Sequence, residues 1–222
     1  MHGFAFKPDL SWSGQEWTWI VASYFLGCVT AGYYWTRWQT GRDIRDLGSG
    51  NVGARNVGRT LGPLGFAVVF LFDFAKGMFA VTLANWLGFG PEALIACMVA
   101  VVAGHNWPMQ LRFQGGKGIA VSLGALLAYE PFTVLCLLAI FLPALALLRR
   151  FTLAGIFAFC LAPLALFLGG FEKEVVAAVS FLAVLALLTH RRNLREELAR
   201  LVWPRPVKEA SVEMHKGPTD EV

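Results

Sequence analysis

The stretch IAVSLGALLAYEPFTVLCLLAIFLPALALL, residues 119–148, decides how many times the chain is expected to cross a membrane. A single helix of this length would run for about 45 Å, whereas the hydrocarbon core of a bilayer is about 30 Å thick. Glu130 and Pro131 interrupt the apolar run, and proline begins a helix far more readily than it continues one. We therefore predict a short span over 117–129, a break, and a full span over 132–148.

The rest of the chain is similarly apolar. Of its 222 residues, 56% are hydrophobic and only 15% are charged, and the mean hydropathy is +0.56. This composition excludes an ordinary soluble domain and indicates a membrane protein with several spans. Further runs of roughly 20 apolar residues, the length that a spanning helix requires, are 17–35, 64–87, 93–111, 153–168 and 175–189.

The basic residues predict the orientation. All but three of the 19 lysines and arginines fall in four segments, which are 37–59, 112–117, 149–150 and 191–216. Basic residues concentrate on the cytoplasmic side of a membrane, and the four segments share that side only if the chain crosses twice between 117 and 148. We therefore predict an all-α integral membrane protein with seven transmembrane helices, its N-terminus outside and its C-terminus cytoplasmic.

The domain organisation is expected to be simple. We predict one polytopic membrane domain over residues 1–203 and a disordered cytoplasmic tail over 204–222, which is polar. Residues 1–16 lack the basic start and apolar core of a cleavable signal, so the first span is expected to remain attached. The four cysteines stand singly in apolar runs, which is typical of buried apolar positions and not of a zinc site or a disulfide framework.

A glycine-rich polar segment, GSGNVGARNVGRTLG at 48–62, precedes the second expected span. Glycines let backbone N–H groups approach a ligand closely and form anion-binding concavities. The segment also supplies hydrogen-bonding and cationic side chains. These are Ser49, Asn51, Arg55, Asn56 and Arg59.

A second such segment, GHNWPMQLRFQGGKG at 104–118, brings Lys117 between glycines to the expected start of a helix. Helix N-termini present free N–H groups and a positive dipole end, so they favour an anion. The segment is not a nucleotide-binding P-loop, because Gly118 stands where a serine or threonine would bind Mg²⁺. We therefore expect phosphate binding without nucleotide hydrolysis.

The third polar cluster, THRRNLREE at 189–197, continues from the last span. His190 and Asn193 are three residues apart, so they share one face of a helix. Because the three polar segments emerge on one side of the membrane, we predict that they converge on a phosphate site at the interface. Asp73 and Lys76, three residues apart inside a span, are expected either to brace that site or to touch the substrate.

These motifs, in this order and spacing, resemble the bacterial acyl-phosphate:glycerol-3-phosphate acyltransferase family of the PlsY type. The resemblance rests on DIRDLGSGNVGARNVGRTLG, DFAKG, GHNWPMQLRFQGGKG and HRRN, and it covers nearly all of the chain between residues 17 and 200. It implies an inner-membrane enzyme that moves a fatty acyl group from acyl phosphate to the sn-1 hydroxyl of glycerol 3-phosphate. The products would be lysophosphatidate and inorganic phosphate, and the resemblance implies no metal, no other cofactor and no acyl-enzyme.

The resemblance and the polar motifs together give the candidate site. We expect catalytic roles for Ser49, Arg59, Lys117, His190 and Asn193, and substrate-binding roles for Asn51, Asn56, His105, Gly115, Gly116 and Gly118. The expected partners are acyl phosphate, glycerol 3-phosphate and membrane lipid. The chain is expected to act as a monomer and to bind no nucleic acid.

The sequence departs from the family pattern at a few positions. Val52 replaces a usual proline, Arg55 replaces a threonine, and Thr152 and Gly155 replace two serines. Arg55 adds a cation to the substrate loop, so it is expected either to tighten phosphate binding or to alter the choice of acceptor.

Two other classes of protein share some of these sequence features. A small anion transporter would use helix termini and intramembrane ionic residues in a similar way, although no inverted repeat is visible in the sequence. An acyltransferase of the His-x₄-Asp kind is disfavoured, because Gln110 and Arg195 stand five residues after His105 and His190.

Overall fold

A computed structural model describes the backbone of residues 12–202 and the side chains of residues 12–195. The described chain is all-α, as predicted, and short 3₁₀ turns lie in the loops at Ile44–Asp46 and Met109–Leu111. The predicted tail, 204–222, lies outside the described residues. The α-helices are α1 (Gly14–Cys28), α2 (Ala31–Thr40), α3 (Ala54–Trp86), α4 (Pro91–Asn106), α5 (Ile119–Tyr129), α6 (Pro131–Leu148), α7 (Phe151–Leu168) and α8 (Lys173–Val202).

Several helices match the dimensions and polarity of a bilayer. Within the described residues, five helical segments are long and apolar enough to cross a membrane, namely Ala54–Trp86, Pro91–Leu111, Pro131–Leu148, Phe151–Leu168 and Lys173–Arg195. Large apolar side chains such as Leu71, Leu147 and Phe167 are exposed on the outer surface. Exposed apolar surface on this scale suits contact with lipid better than contact with water.

The break predicted within residues 119–148 is confirmed. Glu130 ends α5 and also caps α6, because its carboxylate accepts a hydrogen bond from the N–H of Phe132 at 3.3 Å. Pro131 takes the first position of α6, where no intrahelical N–H donor is needed. The charged residue and the proline therefore divide the apolar run into two helices.

The prediction of one helix over 17–35 is wrong, because α1 ends and α2 begins around Val29. Lys76 Nζ donates to the carbonyl oxygens of Gly27 at 3.0 Å and Val29 at 2.9 Å, and Gln110 Nε2 donates to the carbonyl between them. The last carbonyls of a helix have no intrahelical donor, and in an apolar setting they need partners. Two distant side chains thus stabilise a break that local hydropathy does not reveal.

The second predicted span also begins in a different place. The apolar run predicted a helix that starts at residue 64, but α3 starts at Ala54 and is kinked at Gly62 and Pro63. Gly62 has φ 81° and ψ −177°, a conformation that side chains disfavour, and Pro63 cannot continue the hydrogen-bond ladder. Consequently Asn56 and Arg59 lie on a helix and not in the expected loop.

Two close helix crossings organise the bundle, in which α1 packs along α4 and α3 along α5. A Cβ on Gly77 of α3 would lie 2.1 Å from the carbonyl oxygen of Val121, and one on Gly124 of α5 would lie 1.9 Å from that of Phe74. Small residues let helix backbones approach in this way in membrane proteins. The helix α7 packs between α6 and α8 and completes the bundle.

Candidate functional site

Polar segments from distant parts of the chain meet at one end of the bundle. Arg45 Nη1 donates to the carbonyl of Leu111 at 3.0 Å, which joins the α2–α3 loop (41–53) to the α4–α5 loop (107–118). The hydroxyl of Thr189 lies 3.4 Å from the carbonyl oxygen of Lys117, which joins the α4–α5 loop to α8. The structure therefore brings the three predicted polar segments together.

Asn56 holds the α2–α3 loop in place. Its Oδ1 accepts a hydrogen bond from the N–H of Ser49 at 2.8 Å, and its Nδ2 donates to the carbonyl of Leu47 at 2.9 Å. The residue is only 2% exposed. Gly48 has φ +56°, and a Cβ there would lie 2.4 Å from Asn56 Oδ1. The amide of Asn56 is thus engaged with the loop backbone, and its predicted contact with substrate stays a prediction.

Asn51 and Val52 fix the end of the loop before α3. Asn51 Oδ1 accepts from the N–H of Gly53 at 3.0 Å, which forms a local side-chain turn. Val52 is fully buried in an apolar cluster with Ile44. A Cβ on Gly32 of α2 would lie 1.8 Å from the Val52 carbonyl oxygen. The departure from proline at Val52 therefore preserves an apolar anchor for the loop.

Arg45, which was expected only to mark the cytoplasmic side of the membrane, has a structural role in this loop. Its guanidinium forms an ion pair with Asp43, with Nη2 2.6 Å from Oδ2, and it lies 5.6 Å from the centre of the Tyr33 ring. The hydrogen bonds from Arg45 hold the pKa of Asp43 below its usual value. Arg45 also binds the Leu111 carbonyl, 66 residues away in the chain, so the sequence motif alone could not identify this role.

Ser49 and Arg59 are both exposed. Arg59 follows Asn56 by three residues on α3, so the two side chains lie on one face of the helix. The Arg59 side chain therefore leaves α3 on the same face as the residue that secures the loop. A cation beside an exposed hydroxyl and a glycine-rich backbone suits an anionic ligand.

Two glycines of the α4–α5 loop, which were expected to bind substrate, use their N–H groups within the protein. The N–H of Gly115 donates to the carbonyl of Asn106 at 3.1 Å, and the N–H of Gly116 donates to that of His105 at 3.0 Å. These two N–H groups therefore bind the end of α4 and are not aimed at a ligand. Gly118, with φ +77°, caps α5, and the first N–H groups of that helix have no intrahelical acceptor. The anion donors favoured here are Lys117 and the start of α5.

A buried ionic cluster lies beneath this loop. Lys76 Nζ is 2.9 Å from Asp73 Oδ1 and 2.9 Å from His105 Nδ1, and Asp73 Oδ1 is 3.5 Å from the same imidazole nitrogen. His105 is 3% exposed, and a Cβ on Gly116 would lie 1.9 Å from its Nε2. Of the two roles considered for Asp73 and Lys76, this geometry favours bracing. The predicted contact between His105 and substrate remains a prediction.

His190 and Asn193 both lie on α8, the first buried and the second half-buried. His190 Nδ1 is 2.9 Å from the carbonyl oxygen of Ala186. A carbonyl oxygen only accepts hydrogen bonds, so this contact assigns the proton to Nδ1 and leaves Nε2 as an acceptor in the neutral ring. The charges of Lys117 and Arg55 both act on the His190 ring. An imidazole with a free acceptor nitrogen thus lies near two cations.

The arrangement as a whole favours an anion. Within residues 12–195, no group of three or more His, Cys, Asp or Glu side chains could hold a metal ion. Cations, a helix N-terminus and an imidazole instead come together at one end of the bundle. This chemistry suits the binding of phosphate groups and the transfer of a proton.

Comparison with known proteins gives a consistent result. The family described as glycerol-3-phosphate acyltransferase matches residues 17–200. The glycerol-3-phosphate acyltransferase 1 of Desulfitobacterium hafniense is 40% identical over 179 residues, which are 81% of this chain and 89% of that protein. The glycerol-3-phosphate acyltransferase of Desulforudis audaxviator is 43% identical over 175 residues, or 79% of this chain and 88% of that one.

Two solved structures also resemble this fold. Both are crystal structures of PlsY (YgiH), an integral membrane glycerol 3-phosphate acyltransferase, and both matches cover 84% of this chain and 93% of the other. The glycerol 3-phosphate form has a TM-score of 0.77 and 34% identity, and the lysophosphatidic acid form has 0.74 and 32%. The chain therefore belongs to the glycerol-3-phosphate acyltransferase family, whose members are integral membrane enzymes.

Proposed function

We propose that this protein is a seven-span acyltransferase of the bacterial inner membrane, with its active site on the cytoplasmic face. It transfers a fatty acyl group from acyl phosphate to the sn-1 hydroxyl of glycerol 3-phosphate. The observation that carries the proposal is the contact between Lys117, at the start of α5, and the turn of α8 that bears His190. The similar PlsY structures, described as glycerol 3-phosphate and lysophosphatidic acid forms, support the same acceptor and product.

Two phosphorylated substrates can share a site only if cations offset their repulsion. Acyl phosphate and glycerol 3-phosphate each carry about two negative charges. Two unit charges about 5 Å apart repel by about 3 kcal/mol at an effective dielectric constant of 20. We assign this task to Arg59, Lys117 and the N–H groups at the start of α5. The same groups stabilise the charge that grows on the departing phosphate.

The reaction needs no covalent enzyme intermediate, because an acyl phosphate is already activated. The hydroxyl oxygen of glycerol 3-phosphate attacks the carbonyl carbon, and the bond to phosphate breaks. The hydroxyl proton passes to His190 Nε2 or to a phosphate oxygen of the substrate. The tautomer that Ala186 favours makes Nε2 a suitable acceptor. Ser49 and Asn193 serve as hydrogen-bond partners of the substrates.

The other candidate residues support the site mainly by holding backbone segments in place. Asn56 and Asn51 hold the α2–α3 loop in the shape that presents Ser49. His105, with Asp73 and Lys76 behind it, supports the segment Gly115–Gly118. We propose that one membrane domain over residues 1–203 carries all of these groups, acts as a monomer and binds no nucleic acid.

Detergent-purified protein provides the direct test of the reaction. We expect inorganic phosphate to be released from palmitoyl phosphate only when glycerol 3-phosphate is present, with an equal amount of lysophosphatidate formed. Phosphate release without the acceptor would contradict acyl transfer and indicate hydrolysis. An anion transporter, which could use the same cationic helix ends, would give neither product.

The identity of the donor is a separate prediction. The start of α5 with Lys117 matches the charge and size of a phosphate leaving group. We therefore expect acyl phosphate to serve as the donor, and acyl-CoA and acyl-carrier protein not to. Rates of lysophosphatidate formation at equal acyl-chain length provide the measurement. Comparable rates with acyl-CoA would refute the donor assignment and leave the acyltransferase assignment standing.

The seven-span topology predicts where the chain ends and loops lie. In a cysteine-free background, single cysteines in the α2–α3 loop and a reporter on the C-terminus are expected to be cytoplasmic. A cysteine in the α7–α8 turn, 169–172, is expected to react from outside and serves as the control. A C-terminus found outside would refute the seven-span count and divide the proposed site between the two faces.

A further inference from the structure

Two departures from the family pattern lie in direct contact with each other. Arg55 is in the first turn of α3 and Thr152 is in the first turn of α7, 97 residues later in the chain. Nη1 of Arg55 donates to the hydroxyl oxygen of Thr152 at 2.7 Å. The guanidinium also lies 4.7 Å from the centre of the Phe151 ring, within the range of a cation–π contact. The threonine keeps the hydroxyl that the usual serine would offer.

These contacts restrict the guanidinium although Arg55 is exposed. A long arginine side chain loses rotamer freedom when it binds a ligand, and this loss opposes binding. A guanidinium that already rests on an aromatic ring and donates to a hydroxyl loses less freedom in that step. Arg55 is therefore preorganised before substrate arrives.

The charge of Arg55 acts at the candidate site. Arg55 precedes the candidate catalytic residue Arg59 by four residues on α3, so the two side chains lie on the same face of the helix. A guanidinium has five donors in a planar fork, which matches the oxygens of a phosphate. In the usual family pattern a threonine stands at this position, and a threonine supplies no such charge.

We propose that Arg55 is a further substrate-binding residue of this enzyme, which contacts the phosphate of glycerol 3-phosphate, and that Thr152 and Phe151 position its guanidinium. The proposal rests on the proposed function and adds a residue that distinguishes this chain from the usual pattern. A contact with the non-reacting phosphate stabilises the bound substrate and the transition state equally. Such a contact lowers KM for glycerol 3-phosphate and leaves kcat nearly unchanged.

The test begins with Arg55→Thr, which restores the usual family residue. We expect its KM for glycerol 3-phosphate to rise about tenfold, the scale of one charge-assisted hydrogen bond, with kcat within about twofold of the wild type. Thr152→Val, which removes the hydroxyl at nearly constant volume, is expected to raise KM by a smaller factor. Thr152→Ser keeps the hydroxyl and should rescue the low KM. Arg55→Lys keeps the charge without the fork and is expected to give an intermediate KM.

Lys173→Thr supplies the matched control for loss of one positive charge. Lys173 lies on the same helix as His190 but about 25 Å away, so its loss should leave KM unchanged. Added salt should reduce the difference between Arg55→Thr and wild type, because screening weakens an exposed charge. A fall in kcat at constant KM, or an unchanged KM in Arg55→Thr, would overturn the proposal.

Equilibrium titration with glycerol 3-phosphate, in the absence of any acyl donor, separates this proposal from the proposed function. Weaker binding to Arg55→Thr supports the Arg55 contact even if acyl phosphate proves not to be the donor. If wild-type protein transfers acyl groups and Arg55→Thr binds glycerol 3-phosphate as tightly as wild type, the Arg55 proposal is wrong and the proposed function stands.

Discussion

Replacing Lys117 with methionine is expected to lower kcat/KM at least about 100-fold, the usual cost of removing a preorganised group that stabilises a developing anion. The same loss is expected for Arg59→Ala. Methionine keeps the unbranched stem of lysine but not its charge. The contact of Lys117 with Thr189 involves its backbone carbonyl, so Lys117→Met leaves that link between the α4–α5 loop and α8 available. Steady-state rates of lysophosphatidate formation measure the effect.

Charge-matched controls separate a loss at the site from a general change in surface charge. Lys173→Met makes the same substitution at the far end of α8, and Arg37→Ala makes the arginine change on the exposed surface of α2. Both should retain wild-type rates. All four proteins should have similar thermal unfolding midpoints in detergent. Near-normal turnover in Lys117→Met or Arg59→Ala would remove that residue from the proposed active site.

The features that the sequence predicted well are encoded by neighbouring residues. The break at Glu130 follows from a charged side chain next to a proline. The start of α5 follows from the glycines around Lys117, and the continuation of α8 through His190 follows from helical spacing. In each case the physical cause lies within a few residues of the effect. The local sequence pattern was therefore sufficient to predict these three features.

The features that the sequence did not predict depend on partners far along the chain. The end of α1 requires Lys76 and Gln110 as donors, and residues 17–35 carry no sign of either. Likewise, Gly115 and Gly116 resemble free anion donors until the end of α4 supplies acceptors for their N–H groups. The pairing of Arg55 with Thr152 also joins two helices. Such partners become apparent only once the helices are packed together.

Gly116→Ala is expected to reduce kcat/KM by about 100-fold or more, the scale for disturbing preorganised donors at a developing charge. The added methyl would lie 1.9 Å from Nε2 of His105, far inside any van der Waals contact. The ring cannot easily turn aside, because Nδ1 lies 2.9 Å from Lys76 Nζ within a buried cluster that also contains Asp73. The loop must therefore move, and Lys117 moves with it. Steady-state kinetics of the variant measure the fall in kcat/KM, and its thermal unfolding measures the effect of the displaced loop on stability.

Gly155→Ala is the control for Gly116→Ala, since a Cβ on Gly155 meets no atom within 4 Å and alanine favours a helix by about 1 kcal/mol. It should retain activity and unfold at the same temperature as wild type or higher.

A double-mutant cycle tests whether the methyl acts through the His105 ring. His105→Ala removes the ring that the methyl would strike, although it also leaves Lys76 without that partner, so this single variant should itself be impaired. Adding Gly116→Ala to His105→Ala should then lower kcat/KM only slightly further, which is the non-additivity expected of two groups in contact. If the two losses were instead additive, the methyl would be acting away from His105. The His105 ring would then not be the means by which the added methyl displaces Lys117.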